Sequence, residues 1–237
     1  MAIDIKKIRI WLADIIFPKS CFGCGREGEW LCETCRKSIA LEKIFRCPVC
    51  GQINFDEKVC AACRSGSFLN GLWAMADYKN PLVEKIIVGL KYQFVSEIAV
   101  YFDDLVAGYF SGVKMNLPVG AILAPIPLHR RRFLWRGFNQ AELLAMAASR
   151  VLNLEVENHL LIRQINNQPQ AKLKAREREN NVRNIFRVDS MVTEKWRGRP
   201  VVLVDDVYTT GATMQEAARV LKGAGFSEIF GLVLARG

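Results

Sequence analysis

The sequence predicts an α/β fold, in which a mostly parallel sheet is flanked by helices and preceded by a small cysteine-rich module. The first indication is the apolar run at 201–204, which is typical of a parallel strand covered on both faces. The second is that a polar loop and then a helical pattern of apolar residues follow this strand. The third is that all eight cysteines lie within the first 63 residues, apart from the α/β pattern.

The cysteines form four Cys-x-x-Cys knuckles, each of which can supply two thiolates to one ion. They are Cys21/Cys24, Cys32/Cys35, Cys47/Cys50 and Cys60/Cys63. Because two knuckles complete a tetrahedron, four of them predict two structural zinc sites with sulfur ligands only. Sequential pairing of the knuckles would make a double zinc ribbon, and interleaved pairing would make a cross-brace. The short intervening segments favour the ribbon and leave the cross-brace open.

A disulfide framework is the competing interpretation of these cysteines. The N-terminus shows no secretory signal, because Asp4 and Asp14 interrupt it and the apolar run at 15–17 is short. We therefore expect a cytoplasmic protein, in which reduced thiols favour zinc over disulfides. No uncharged apolar run approaches the roughly 18 residues that would be needed to span a membrane.

The length of 237 residues suits two domains. We place an N-terminal helix and the zinc module at 1–70, and the α/β domain at 71–237. The apolar face of the helix at 8–16 either packs on its own domain or docks on a partner or a second copy, so the oligomeric state stays open. Aromatic residues near the knuckles either form the module's core or stack on bases of single-stranded DNA. These are Phe22, Trp30 and Phe45.

The α/β pattern starts with a predicted strand at 72–78, helices at roughly 82–92 and 97–110, and a buried strand at 121–124. Positive charge gathers after that strand, since residues 125–187 carry +7 of the formal net charge of +9. Two zinc tetrathiolates, each of charge −2, would lower the whole-chain charge from +9 to +5. The total is therefore weak support for a nucleic-acid partner.

Two basic stretches follow predicted strands. The first, at 125–140, is a loop between a strand and a helix. In it Arg132 and Arg136 are candidates for binding an anion, because guanidinium groups bind phosphate oxygens bidentately, and Gly137 allows a close backbone approach. The alternative is a generic basic turn. The second stretch, at 163–187, lies between a predicted strand at 159–162 and the strand at 200–205. It is either a functional flap or a basic loop that affects only solubility.

A pair of acids and a hydroxyl-rich loop follow the strand at 201–204. The acids are Asp205 and Asp206, and the loop, called here the threonine loop, consists of Thr209, Thr210, Gly211, Ala212 and Thr213. Ligands of parallel sheets bind at the carboxyl ends of strands, and the positive end of a helix attracts phosphate. With carboxylates beside it for hydroxyl groups, this arrangement predicts a sugar-phosphate site.

This run of residues resembles the phosphoribosyl-pyrophosphate (PRPP) signature of type I phosphoribosyltransferases. The resemblance implies that Asp205 and Asp206 contact the ribose hydroxyls and are the catalytic acids, and that the threonine loop holds the 5′-phosphate. It further implies that Mg²⁺ accompanies PRPP, that Arg132, Arg136 and Gly137 belong to a pyrophosphate loop, and that 163–187 is the flap. With so little chain after the strand at 229–234, we expect the helices at 82–92 and 97–110 either to read the acceptor, with Lys91 and Tyr92 at the pocket, or only to pack.

The combination of motifs is similar to the ComF family of competence proteins over residues 17 to 237. It comprises Phe17-Pro18, the knuckles, Leu90-Lys91-Tyr92, Pro125-Ile126-Pro127, Arg136-Gly137-Phe138-Asn139-Gln140 and Gln170…Leu173…Arg178…Asn181-Val182…Phe186. The resemblance implies a double zinc ribbon joined to a type I phosphoribosyltransferase fold. It also implies a role with single-stranded DNA and other competence proteins during natural transformation. An enzyme of nucleotide salvage that uses PRPP and Mg²⁺ is the alternative, with its acceptor unidentified.

Overall fold

The computed structural model describes residues 18–93, 95–112, 116–165 and 184–237. The predicted N-terminal helix and most of the second basic stretch lie outside the described residues. Within the described residues, no helix combines the length and the apolar composition that crossing a membrane requires.

The cysteine-rich module contains little regular structure, as expected of a unit built around metal ligands. It has helix α1 (Glu33–Lys37), the short antiparallel pair β1 (Phe45–Arg46) and β2 (Ile53–Asn54), and a 3₁₀ turn at Ala61–Gly66. Two of the knuckles begin at the N-terminus of a helical turn. Cys32 is the N-cap residue of α1, and Cys60 is the N-cap residue of the 3₁₀ turn.

The main sheet has five parallel strands in the order β3-β9-β8-β4-β5. The strands are β3 (Gly71–Asp77), β4 (Ile122–Pro125), β5 (Glu155–Val156), β8 (Val201–Tyr208) and β9 (Ile229–Arg236). Successive residues of β8 serve opposite faces of the sheet, as the strand period of two requires. Val202 and Val204 belong to one hydrophobic cluster, and Val201 and Leu203 belong to the other.

Helices cover both faces of the sheet. They are α2 (Pro81–Tyr92), α3 (Phe102–Ser111) after a 3₁₀ turn at Ser96–Tyr101, α4 (Arg130–Arg136), α5 (Gln140–Leu152), α6 (Ser190–Trp196) and α7 (Ala212–Gly223). Buried residues of α2, α3 and α5 enter the cluster with Trp73, and those of α6 and α7 enter the cluster with Phe226. A separate antiparallel pair, β6 (Leu161–Arg163) and β7 (Phe186–Val188), lies on the α7 side.

The chain reverses its direction of travel across the sheet between β4 and β8. From β4 it proceeds through α5 to the edge strand β5, whereas from β8 it proceeds through α7 to β9 on the other side. Such a switch point leaves a crevice at the carboxyl ends of the two strands, and ligands of open α/β sheets bind there. The first basic stretch and the threonine loop both emerge at this edge.

The structure differs from the sequence prediction in two segments at this edge of the sheet. The strand predicted to end at the acid pair continues through Asp205 and Asp206 to Tyr208, because β9 supplies partners as far as Arg236. The first basic stretch is not a loop throughout, since it contains α4. The His129 ring nitrogen accepts a hydrogen bond from the Arg131 N–H at 3.2 Å, and Gly137, at φ 82°, ends the helix.

Candidate ligand cavity and zinc sites

A cavity of about 420 Å³ opens at the switch point between β4 and β8. Four cationic side chains and two acids line it, together with threonines and apolar residues. The polar lining comprises Lys91, Arg132, Arg136, Gln140, Arg163, Asp205, Asp206, Thr209 and Thr213, and Tyr78 and Tyr92 complete it. The cavity therefore combines a cationic wall with a small acidic one.

The acid pair is held by a lysine and by its own backbone. The Lys91 ammonium lies 3.0 Å from Asp206 Oδ1, and Asp205 Oδ1 accepts a hydrogen bond from the Asp206 N–H at 2.8 Å. Asp206 is only 4% exposed, and its Oδ2 has no hydrogen-bond partner among the described residues. One buried acceptor is thus open to a ligand hydroxyl.

The ionisation of these groups follows from burial and mutual charge. Burial, and then the neighbouring Asp206, raise the pKa of Asp205 to about 7. Burial acts to lower the pKa of Lys91, but the carboxylates of Asp206 and Asp205 raise it above its ordinary value. Lys91 is therefore an ammonium at neutral pH, whereas Asp205 exchanges its proton near neutrality.

Three arginines form the cationic wall. The Arg136 guanidinium donates to Gln140 Oε1, and its Nε has no hydrogen-bond partner within the part of the chain that the structure describes. The same holds for the buried Nε of Arg163 within that part of the chain, and burial, with the like charge of Arg132, lowers the pKa of Arg163 to about 10. Burial lowers the pKa of Arg132 and Arg136 as well. Desolvated cations of this kind favour an anionic ligand.

The helix pair α4 and α5 fixes the position of this wall. Asn139 caps α5 by accepting from the Ala141 N–H at 3.1 Å, and its amide donates to the Ile126 carbonyl at 3.1 Å. The cap thereby ties the start of α5 to the end of β4, and the two cavity arginines of α4 lie one helical turn apart. Gly137 ends α4 and does not line the cavity.

The threonine loop forms a smaller recess of about 20 Å³ beside the cavity. Asp205, Thr209, Gly211, Ala212 and Thr213 are among its lining residues. Gly211, at φ 77°, precedes the first turn of α7, so the recess opens on the positive end of that helix. This geometry is suited to a phosphate group.

The structure brings most of the predicted ligand-binding residues to one place. Thr210 and Gly137 lie outside the linings of the cavity and the recess; Thr210 Oγ1 instead accepts from the Ala212 N–H at 3.4 Å. Lys91 and Tyr92 do line the cavity, as one of the two alternatives for α2 requires. Arg163 was missed, because its position in a basic stretch carries no signal that it points into the site.

The eight cysteines form two groups of four, in the sequential pairing. The first group is Cys21, Cys24, Cys32 and Cys35, and the second is Cys47, Cys50, Cys60 and Cys63; the Sγ atoms of each group lie within 4.8 Å of one another. The Cys24–Cys32 and Cys50–Cys60 Sγ atoms are 3.7 and 3.8 Å apart. Zinc–sulfur bonds of about 2.3 Å give a tetrahedron with edges of about 3.8 Å. Both groups therefore fit structural zinc.

The thiol environment also suits a metal. Burial acts to raise the pKa of Cys21, but the backbone N–H groups of Cys24, Cys32 and Gly23 lower it to about 6. The pKa of Cys47 is lowered to about 6 in the same way. One thiolate of each group is thus available near neutral pH, and only the thiolate ligates zinc.

Each ribbon docks on the α/β domain at a different element. Phe22 and Trp30 of the first ribbon stack at 5.7 Å and pack against the core beside α2, and Trp30 Nε1 donates to Glu97 at 2.7 Å. These aromatic residues therefore serve packing. In the second ribbon, the carbonyl of Pro48 accepts from the Tyr208 hydroxyl at 3.1 Å. That tyrosine immediately precedes the threonine loop.

Two family models match the chain. Residues 12–64 match the double zinc ribbon domain, and residues 140–237 match the phosphoribosyl transferase domain. The fold expected from the sequence, a zinc ribbon module with a phosphoribosyltransferase-like parallel sheet, is thereby confirmed.

Several relatives match half of the chain or more. DNA utilization protein YhgH of Escherichia coli is 32% identical over 212 residues, which cover 86% of this chain and 91% of the relative. Competence protein ComFC of Bacillus subtilis is 33% identical over 81% of this chain and 78% of its own. Competence protein F of Haemophilus influenzae is 37% identical over 52% of each chain.

Proposed function

Because the chain belongs to the ComF family of competence proteins, we propose that its cavity binds PRPP and that the protein handles single-stranded DNA in the cytoplasm during DNA uptake. The observation that carries the proposal is the convergence of four cations, an acid pair and a helix N-terminus on one cavity. PRPP has three groups that match this set: a 5′-phosphate, ribose hydroxyls and a diphosphate. Transfer of the phosphoribosyl group to an acceptor is the reaction that such a site would serve.

Each part of the ligand has a counterpart in the site. The recess at the threonine loop suits the 5′-phosphate, because backbone N–H groups and the helix dipole attract anions. Asp206 Oδ2 is an open acceptor for a ribose hydroxyl. The arginines at 132, 136 and 163 suit the diphosphate, since the planar guanidinium matches phosphate oxygens. A ligand spanning all three parts uses the whole cavity.

The acid pair gives the first test. In calorimetric titrations of the zinc-loaded protein, the Asp205→Asn/Asp206→Asn variant should lose its preference for PRPP over inorganic pyrophosphate. Hydrogen bonds to charged groups contribute about 1.5–3 kcal/mol each, so the preference should fall at least about tenfold. Binding of pyrophosphate itself should persist or strengthen, because the variant removes negative charge from a cationic cavity.

A matched control is available on α3. Asp103→Asn/Asp104→Asn removes an adjacent pair of acids that pair with Arg150 and Arg36 and do not line the cavity. This control should keep the preference of the wild type. A wild-type protein that binds neither ligand would contradict the proposal, and so would an acid-pair variant with unchanged preference. Release of pyrophosphate on addition of a free base would favour nucleotide salvage instead.

Helix α4 offers a surface for single-stranded DNA. Its Arg132 and Arg136 face the cavity, whereas Phe133, Leu134 and Trp135 are 41%, 69% and 59% exposed. The exposed side chains of Arg130 and Arg131 flank these apolar residues. Aromatic side chains stack on unpaired bases while arginines contact phosphates, which is the usual basis of binding without sequence preference. We therefore assign the DNA contact to the outer side of α4.

DNA binding should accordingly be sensitive to salt and to Trp135. The Trp135→Ala variant should lose roughly 1–3 kcal/mol of binding free energy for a short single strand, the usual contribution of one stacked base. The Arg130→Gln/Arg131→Gln variant should reduce the slope of log affinity against log salt by about 1.4, because each phosphate contact contributes about 0.7. Fluorescence anisotropy at several salt concentrations measures both.

Phe55 provides the control for stacking. It is 103% exposed in the second ribbon, so Phe55→Ala removes an aromatic ring that is more exposed than Trp135 and lies away from α4. We expect Phe55→Ala to bind DNA as the wild type does. If Phe55→Ala were weakened and Trp135→Ala were not, the contact would belong to the ribbon. An affinity independent of salt would contradict backbone binding altogether.

A further inference from the structure

The ion pair between Lys91 and Asp206 occupies the acidic wall of the cavity. Lys91 comes from the last turn of α2, and its ammonium lies 3.0 Å from Asp206 Oδ1 with side-chain exposures of 25% and 6%. Asp205 contributes a second, weaker attraction. A positive charge therefore already lies against the acid pair in the ligand-free protein.

The residues around the acid pair do not fit a protein-bound Mg²⁺. Mg²⁺ requires near-octahedral oxygen ligands, usually with one or two carboxylates among them. Here Asp206 Oδ1 is engaged by Lys91 and Asp205 Oδ1 by a backbone N–H. The three arginines of the cavity add like charge close by. A divalent ion at the acid pair would therefore lie beside the ammonium and among four cations.

We propose that the Lys91 ammonium takes the place of a divalent cation at the acid pair, so that the cavity binds a sugar diphosphate without a metal ion held by the protein. The ammonium offsets the negative charge at the acid pair, which receives the ribose hydroxyls. It also supplies, with the arginines, the positive charge that the diphosphate requires. The inference rests on the proposed binding of PRPP and specifies the form of the ligand as the metal-free diphosphate ester.

The test compares PRPP titrations with and without Mg²⁺ on the zinc-loaded protein. The buffers are passed over a chelating resin beforehand to remove divalent ions. A soluble chelator in the calorimeter would remove the structural zinc. Wild-type protein should bind metal-free PRPP with nearly the affinity that it has in excess Mg²⁺. Lys91→Met should lose at least about tenfold in the metal-free titration, since a charged contact is removed, and should recover when Mg²⁺ is added.

Two further variants make the result specific. Lys91→Arg keeps the charge and should retain metal-free binding, and Lys222→Met removes an exposed lysine near the far end of α7 and should behave as wild type. Thermal unfolding of each variant establishes that it is folded. Wild-type binding that appears only with Mg²⁺ would overturn the inference and leave the proposed function standing. The absence of binding under both conditions would overturn the proposed function, and the inference with it.

Discussion

Replacement of Gly211 by alanine is expected to abolish PRPP binding and to lower the free energy of unfolding by about 2–5 kcal/mol. An alanine at φ 77° costs about 1–2 kcal/mol in backbone strain. Its Cβ would also collide with the hydroxyl and ring of Tyr208, and overpacking of this kind costs about 1–3 kcal/mol. Tyr208 is 3% exposed, and its hydroxyl donates a hydrogen bond to the Pro48 carbonyl. The side chain therefore cannot move aside without breaking that hydrogen bond.

The collision lies at the base of the threonine loop. Tyr208 is the last residue of β8, and Gly211 precedes α7, so their close approach defines how the loop turns from strand to helix. Separating them would displace the N–H groups of the recess from a phosphate. Calorimetry with PRPP and urea unfolding of the same samples measure the two effects.

Gly120→Ala separates strain from collision. Gly120 has a φ of 74°, almost that of Gly211, but no atom of the residues at 18–93, 95–112, 116–165 and 184–237 lies within 4 Å of the position that its Cβ would occupy. This variant should lose only the roughly 1–2 kcal/mol of backbone strain and should keep its PRPP affinity. Equal losses of stability in the two variants would show that Tyr208 yields to the added methyl group. Unimpaired binding by Gly211→Ala would contradict a phosphate role for the loop.

The local patterns of the sequence were sufficient to predict the zinc sites and four of the five strands of the sheet, the exception being the short edge strand β5. An apolar run, a polar loop and a helical period are properties of adjacent residues, and the cysteine knuckles carry their spacing within four positions. The extent of β8 was not predictable in this way. Asp205 and Asp206 are unusual in a strand, and only the pairing of β8 with β9 keeps them there.

The full lining of the cavity could not be predicted from the sequence, because it depends on how segments distant in the chain pack together. Arg163 is the last residue of β6, which lies outside the main sheet. It reaches the cavity only because the antiparallel pair of β6 and β7 packs beside α7. Helix α4 was likewise not predicted, because its seven residues include four arginines and show no helical repeat of apolar residues. The docking of the second ribbon gave no sequence signal, since its acceptors are backbone carbonyls that any residue offers.

Loss of zinc from the second ribbon is expected to weaken PRPP binding, although this zinc would lie outside the cavity. The Tyr208 hydroxyl donates to the Pro48 carbonyl, and the Arg236 guanidinium donates to the carbonyls of Cys47 and Arg46 at 3.0 and 3.3 Å. These acceptors lie in or directly before the Cys47/Cys50 knuckle, which the zinc would hold. Structural zinc contributes roughly 10–16 kcal/mol to the folding of small metal modules, so losing a ligand should release the knuckle.

The Cys50→Ser variant should therefore bind PRPP about tenfold to a hundredfold more weakly, because three hydrogen bonds of about 1 kcal/mol each, one from Tyr208 and two from Arg236, support the ends of β8 and β9. Metal analysis should find about one zinc per chain instead of two. Cys24→Ser is the matched control, since Cys24 and Cys50 are both exposed and both are second in the first knuckle of their ribbons.

The two variants differ in what their ribbons touch. The first ribbon packs on α2, where the Phe22 carbonyl accepts from Lys85 Nζ at 3.2 Å, and not on the threonine loop. Cys24→Ser should lose one zinc equally but weaken PRPP binding less than Cys50→Ser does. The reverse order would mean that α2 and its Lys91 govern the cavity more strongly than the end of β8. A zinc-depleted Cys50→Ser protein with wild-type affinity would show that the threonine loop keeps its geometry without the ribbon.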